Sequence, residues 1–515
     1  GQDDRVKGLV ARISTGPGSM AAAQELRDAV KAFREKGKKA IAYSDSFGEF
    51  TGGSAAYYLA AAFDEVYLQP SGDVGLIGIA AETPFAKNAF EKLGVVPQMG
   101  KRHEYKNAVN TFTETGFDAW HREATEKYLG SLHAQLVKGI AEDRGLEETQ
   151  VRSLIDSGPH AGQAALDAKL VDGLAYRDEV YAQVKEGWGA DAELLYLHKY
   201  LARAGRPNLD GDKTIALIYG VGQVMRGESD FDPLSGESTL GSDSVAAAFR
   251  KAVDDDDVKA IVFRVDSPGG SYVASDTVRR EVQRAREQGK PVVVTMGNLA
   301  ASGGYFVSLD ADRIVAQPGT LTGSIGVYAG KFVTRDFWEK LGVNWETVAV
   351  GQNAALFSTD SEFTPEQHRK LESELDRIYG DFTAKAAAGR KLPLEKLQAV
   401  AKGRVWTGAD AKELGLVDEL GGFPKALELA KELAKIGTDE KVRIELFPRP
   451  KSPVELLLAA IGGEEEGDNS ESGPTQVRHG RALREQLRAV HGIAEQLGIG
   501  TRAGVLTAPI AEPLP

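Results

Sequence analysis

Three glycine-rich loops hold the residue types that acyl chemistry needs. DSPGGS (266–271) runs from a strand-like segment into a helix-like one, and its paired glycines let backbone N–H groups approach a ligand oxygen. NLAASGGYF (298–306) follows the buried-type strand PVVVTM and puts Ser302 on a strand-to-helix turn among small residues. A hydroxyl presented there leaves room for a substrate carbonyl, with the N–H groups of Gly303 and Gly269 as candidate oxyanion donors. Out of context, the commoner use of such a serine is to cap the next helix. GTLTGSIGV (319–327) offers Ser324 as a hydrogen-bond partner for a catalytic amine or hydroxyl, although ordinary turn chemistry accounts for the loop.

A serine nucleophile needs a base. None of the eight histidines lies in a glycine-rich strand-end loop, and GxSxG is absent at Ser302, so an α/β-hydrolase triad has no support. What remains is a lysine, as in the Ser–Lys variants of the triad. Its pKa must fall from about 10.4 toward 7–8, at a cost of about 3–5 kcal/mol, which requires an apolar, uncharged crevice. Composition does not single out one lysine among the many.

The loops belong to a duplicated framework. IVFRVDSPGGS from Ile261 and LVARISTGPGS from Leu9 match at an offset of 252 residues. Each runs into an amphipathic helix, with stripes at Leu26, Val30 and Phe33 and at Val278, Val282 and Ala285, and each helix ends at a glycine, Gly37 or Gly289. A strand follows in both cases. This is the grammar of a right-handed βαβ crossover onto a parallel sheet. At an offset of 248, SAAYYLAAAFDEVYLQPSGDVGLIG from Ser54 matches SGGYFVSLDADRIVAQPGTLTGSIG from Ser302, and EKLGV at Glu91 matches EKLGV at Glu339. KLVDGL from Lys169 resembles GLVDEL from Gly415.

The sequence therefore predicts an α/β protein of two tandem repeats, residues 1–204 and 213–450, joined by GRPNLDGD (205–212). Residues 451–515 read as an acidic, Ser/Gly-rich linker, a short basic-amphipathic helix at 478–497 and a Pro-containing tail. The polar stretch 225–243 reads as a surface loop. The strand KTIALIYGVG from Lys213 precedes Ile261 by roughly 48 residues, so its first-repeat counterpart is expected upstream of residue 1. With a start that lacks methionine, the chain reads as an excised piece whose first repeat is short by at least about 40 residues.

Composition narrows the function classes. A net charge of −13 argues against an extended nucleic-acid surface, and no nucleic-acid partner is expected. The absence of cysteine rules out disulfides, thiolate catalysis and cysteine-based zinc sites. The histidines are scattered, without HExxH spacing, so no metal site is expected. No segment approaches the roughly 18 apolar residues of a membrane span.

DSPGGS, AASGGY and LTGSIGV in this order resemble protease IV, the signal peptide peptidase A family, in its large tandem-repeat bacterial form. The resemblance covers residues 6 to about 450 and both repeats. It implies two Clp-protease/crotonase-like domains of stacked ββα units. It also implies Ser302 as nucleophile, Lys106 of HEYKNAVNTF as general base, Ser324 as the residue orienting the lysine, and no cofactor. The oxyanion donors would be Gly269 and Gly303. At the 248 offset Lys106 falls opposite Ala354, and Ser54 falls opposite Ser302 with Ala55 and Ala56 replacing the glycines. One repeat thus keeps the base and the other the nucleophile.

The family implies a homo-oligomer, a tetramer, at the periplasmic face of the bacterial inner membrane. Its anchor would be missing from this chain. The implied substrates are cleaved signal peptides and other apolar, extended peptides. Two rival readings share the fold: a crotonase-type acyl-CoA enzyme, and a catalytically silent membrane-associated scaffold.

Overall fold

The computed structural model describes residues 1–515 except 2, 15, 190, 206–210, 233–235, 449–504 and 508–515. The acidic linker, the expected helix at 478–497 and most of the joint at 205–212 lie outside the described residues. No described helix is long and apolar enough to cross a membrane.

The repeat grammar produces two parallel sheets. In the first repeat the strands Gly8–Arg12, Lys39–Ser44, Glu65–Leu68 and Gly173–Leu174 lie side by side in that order, all parallel. In the second, Val258–Ser267 pairs in parallel with Val292–Ala301, which pairs in turn with Arg313–Ala316 and with Leu321–Gly323. The crossover helices are Met20–Arg34 and Tyr272–Glu287. Lys39–Ser44 and Val292–Ala301 are covered on both faces, which is why they read as continuous apolar runs rather than alternating ones. The second sheet is wider, because Lys213–Val221 and Val442–Phe447 extend it beyond Val258–Ser267.

Each repeat has its own apolar core. One is built around Tyr57, Leu68 and Leu136, the other around Phe249, Phe263, Phe306 and Phe382. Phe306 packs on Phe382 with ring centroids 4.8 Å apart, so truncating Phe382 to alanine is expected to cost about 3–5 kcal/mol.

Polar contacts from the first crossover helix clamp the repeats together. Arg264 donates to Glu25 at 2.6 Å, the Gly319 N–H donates to Gln24 at 2.7 Å, and Gln317 donates to Asp28 at 2.9 Å. A second connection is an exchanged strand. After the helix Lys87–Leu93 the chain leaves its own repeat, and Val96–Arg102 pairs antiparallel with Val327–Val333, from Val327↔Arg102 to Val333↔Val96. The long helix Pro365–Arg390 covers this ribbon, and its Glu372 and Asp376 bind Arg102 at 2.8 and 2.6 Å. The residues after Arg102 are thereby carried beneath the second repeat.

The stretch 225–243 is more ordered than a plain loop. Its ends form the parallel strands Gln223–Met225 and Thr239–Gly241, and the helix Ser242–Asp254 begins within it. The same small sheet contains Gly269–Ser271, whose free edge pairs antiparallel with Val505–Thr507.

Candidate active site

Val292–Ala301 ends in the turn that carries Ser302, and that turn is strained. Ser302 has φ 55° and ψ −115°, a conformation rare for a residue with a side chain, and it is held by its N–H donating to Gly323 O at 2.8 Å. Ser302 stands at the N-cap position of the short helix Gly303–Phe306, yet its side chain caps nothing. The helix-cap reading of this serine is therefore corrected, because the hydroxyl turns inward to an amine.

That amine belongs to Lys106, whose Nζ lies 2.9 Å from Ser302 Oγ. Lys106 is fully buried, and it arrives on the segment following the exchanged strand. The backbone there is fixed by Tyr105 N–H donating to Lys402 O at 3.2 Å, and the Arg404 guanidinium lies 4.8 Å from the Tyr105 ring. Gly403 lets this segment pack closely, since a Cβ on it would sit 2.6 Å from the Lys106 nitrogen, and its φ is +84°.

The amine makes two further contacts, to Ser324 O and Ser324 Oγ, both at 3.1 Å. Ser324 Oγ in turn donates to Gly403 O at 3.3 Å. A neutral amine has two N–H donors and one lone pair. Two bonds to Ser324 use the donors, leaving the lone pair to accept the Ser302 hydroxyl proton. Burial alone brings the lysine pKa down to about 7, and no carboxylate counteracts it.

The two remaining sequence-predicted residues sit beside this pair. Gly303 opens the short helix, so its N–H lies outside the i→i−4 ladder and is free to donate. A Cβ on Gly303 would lie 2.7 Å from Ser275 Oγ, 2.9 Å from the Gly270 nitrogen and 3.1 Å from Gly269 Cα, so the two glycine loops touch. Gly269 is less simply placed. Its N–H donates to Ser267 Oγ at 3.2 Å, a bond that must give way before it can serve an oxyanion.

Sequence reasoning missed Ser267, Gly403 and Asp266. The Asp266 carboxylate accepts from the N–H groups of Asn298 and Leu299, both at 3.1 Å, and so braces the strand end that delivers Ser302. Asp266 opens the DSPGGS motif and was legible there. Gly403 carried no signal beyond being a glycine. No metal-holding cluster of His, Cys, Asp or Glu occurs among the described residues.

A parallel-sheet hydrolase fold with a buried serine facing a buried amine defines a class, and comparison with known proteins gives that class its family. A profile for "Peptidase family S49" matches residues 32–191 and 284–437, one stretch in each repeat. "Protease 4" of Salmonella typhi is 34% identical over 474 residues, which span 90% of this chain and 74% of that protein. "Serine protease SPPA, chloroplastic" of Arabidopsis thaliana is 31% identical over 470 residues, 89% of this chain and 68% of that protein. The chain belongs to peptidase family S49 and is a serine peptidase. Among solved structures, a point mutant of ClpP1 from Listeria monocytogenes overlaps 41% of this chain and 94% of its own, at 15% identity and a TM-score of 0.26.

Proposed function

We propose that the protein is an endopeptidase working through a Ser302–Lys106 dyad, with the nucleophile from residues 213–450 and the base from residues 1–204. The observation that carries this reading is the 2.9 Å contact between Ser302 Oγ and a fully buried lysine whose pKa is lowered to about 7. Neutral Lys106 takes the Ser302 proton as the oxygen attacks the peptide carbonyl. The tetrahedral oxyanion is held by the Gly303 N–H and, after release from Ser267, the Gly269 N–H. Lysinium then protonates the leaving amine, and water activated by the same lysine releases the acyl group. Ser324 keeps the amine aimed throughout.

The substrate is an extended apolar peptide, with cleaved signal peptides as the physiological class. Support comes from the edge of Gly269–Ser271, where an antiparallel strand, Val505–Thr507, already sits in register Gly269↔Thr507. A peptide substrate would add to the same edge, using main-chain hydrogen bonds for affinity and a side pocket for choice. The same reading has the enzyme assembling with copies of itself at the periplasmic face of the inner membrane.

The test is hydrolysis of a fluorogenic Leu-rich peptide by wild type, Ser302→Ala and Lys106→Met, with folding checked by circular dichroism. Loss in both variants supports the dyad. Activity surviving in Ser302→Ala would overturn it, and a folded but inert wild type would favour the scaffold reading.

A further inference from the structure

Ser302 and Lys106 come from different repeats, and one residue touches the supports of both. Arg404 stands just before the strand Val405–Thr407, which pairs antiparallel with Leu321–Gly323. Gly323 O holds the Ser302 N–H, and Arg404 O accepts the Ser324 N–H at 2.7 Å. The Arg404 guanidinium reaches the other way, into the first repeat. It lies 4.8 Å from the Tyr105 ring and 4.5 Å from the Trp406 ring, and it donates to Glu123 at 2.7 Å. Tyr105 is the residue before Lys106, and Trp120 meets its ring edge-on at 5.4 Å.

The duplication shows that this cluster is not part of the shared architecture. From the helix caps Asp118 and Thr364 to the ion pairs Arg144–Asp172 and Arg390–Asp418, the repeats keep a constant offset of 246. At that offset Arg404 falls opposite Gly158, Trp406 opposite His160, Glu123 opposite Arg369 and Tyr105 opposite Gly351. None of the four is retained, and Gln352 stands where Lys106 would be. The cluster occurs only where the lysine does.

Two buried side-chain atoms among the described residues have no hydrogen-bond partner, Arg404 Nε and Asn107 Oδ1, and both sit at the lysine segment. Asn107 follows Lys106, and Arg404 stacks on the residue before it. A buried donor left unpaired works against stability, so hydrogen bonding does not account for an arginine here. Its flat cation does. A guanidinium can rest on aromatic faces while an ion pair fixes its plane, which an ammonium cannot.

We propose that Arg404 is a positioning residue for the base: resting on the Tyr105 and Trp406 rings and tied to Glu123, it locks the Lys106 backbone against the turn that carries Ser324 and keeps water from the amine. This builds on the Ser302–Lys106 reading and names what holds its two halves together. Arg404 touches neither reacting atom and acts through Tyr105 and Ser324. The neighbouring charges are otherwise engaged. Lys101 bonds Asn110, Arg102 binds Glu372 and Asp376, and Glu104 pairs with Lys402 at 3.0 Å. The His103 ring meets Tyr379, and the Lys106 amine itself contacts only Ser302 and Ser324.

The test compares Arg404→Met, Arg404→Lys and Glu123→Gln with wild type and Lys106→Met, as kcat and KM on the peptide substrate across pH. Arg404→Met keeps the apolar stem and drops the plane and the charge. It should lower kcat at least about tenfold with KM within about twofold. The acid limb of kcat/KM should move up from about 7 by about one unit, because a loosened segment lets water reach the amine. Arg404→Lys keeps the charge without the flat fork and should show the same shift. Glu123→Gln, at a half-exposed residue, should show a smaller shift in the same direction. Arg404→Met with wild-type kcat and midpoint overturns the proposal. So does a lowered kcat with an unmoved midpoint, the mark of a merely structural role, or full recovery in Arg404→Lys. Should Arg404→Met not fold, an unmoved midpoint in Glu123→Gln overturns it. An inert Lys106→Met beside an unchanged Arg404→Met defeats the arginine alone, whereas an active Lys106→Met defeats the dyad and the arginine's role with it.

Discussion

Each repeat leaves its second strand for a helix through a serine, Ser54 in the first and Ser302 in the second, and the two serines have different fates. Ser54 is the first residue of the helix Ser54–Ala60, and its Oγ accepts from the N–H groups of Ile77 and Gly78, both at 3.2 Å. It braces a neighbouring turn. Ser302 is delivered by a strand that continues to Ala301, sits at φ 55° and points its hydroxyl at an amine. After Ser54 come Ala55 and Ala56, and a Cβ on the facing Gly16 would lie 3.0 Å from the Ala55 methyl. After Ser302 come two glycines with no room for a methyl, because Ser275 and the Gly270 backbone press against Gly303, and Ser267 presses against Gly304. A serine on a strand-to-helix turn is thus no nucleophile by position alone. In the proposed mechanism it becomes one when the chain beside it is stripped to backbone and a desolvated base is brought within reach.

That contrast can be broken residue by residue. The largest effect is expected from giving the first repeat the second repeat's residue at the base. The helix caps place the sequence match at an offset of 246 by this point, so KNAV faces QNAA and Gln352 takes the place of Lys106. Lys106→Gln should lower kcat by at least about a thousandfold, as loss of a triad member does, read as initial rates on the peptide substrate. Next is Gly303→Ala, which copies Ala55 into the active repeat. Its Cβ collides with Ser275 and Gly270, and displacing the proposed oxyanion donor should cost about 10²–10³ in kcat.

A smaller change comes from pH. As the proposed base, Lys106 can act only when neutral, and its pKa is brought down to about 7, so kcat/KM should fall about tenfold per unit as pH drops below that value and level off above it. The unfolded chain holds the lysine proton up to its ordinary pKa. Stability should therefore rise with pH between about 7 and 10.5, and Lys106→Met should raise Tm most at the acid end of that window. A kcat/KM midpoint near 10, or no gain in stability with pH across that window, would mean the lysine is solvated. The smallest effect belongs to Ser54→Ala, which leaves two turn N–H groups without their acceptor. It should cost about 1–2 kcal/mol in denaturant melts and leave kcat unchanged, and a loss of activity there would erase the distinction between the repeats.

Much of this was legible before any coordinates. The duplicated βαβ grammar gave the parallel sheets, because buried strands and crossover helices leave periodic traces that survive in both copies. The glycine loops marked the strand ends where chemistry sits. The lysine was another matter: nothing in the residues of HEYKNAVNTF separates Lys106 from a solvated lysine, and only the family resemblance pointed to it. The signal that selects it is burial, and burial is a property of what the exchanged strand is laid against. Gly269 was readable as a flexible glycine, but its hydrogen bond to Ser267 was not, since that bond depends on how the 267–269 turn closes.

By itself, the sequence determined the duplication, the parallel crossover in each repeat and the serine at the end of a strand, all of which follow from local pattern and chain connectivity. Tertiary structure alone decided that a strand of the first repeat crosses to the second. That crossing seals Lys106 from water, brings its pKa to about 7 and sets its amine 2.9 Å from a serine 196 residues away. The reason is physical: desolvation and a contact between distant residues depend on which surfaces meet, and no local pattern in the chain encodes that meeting.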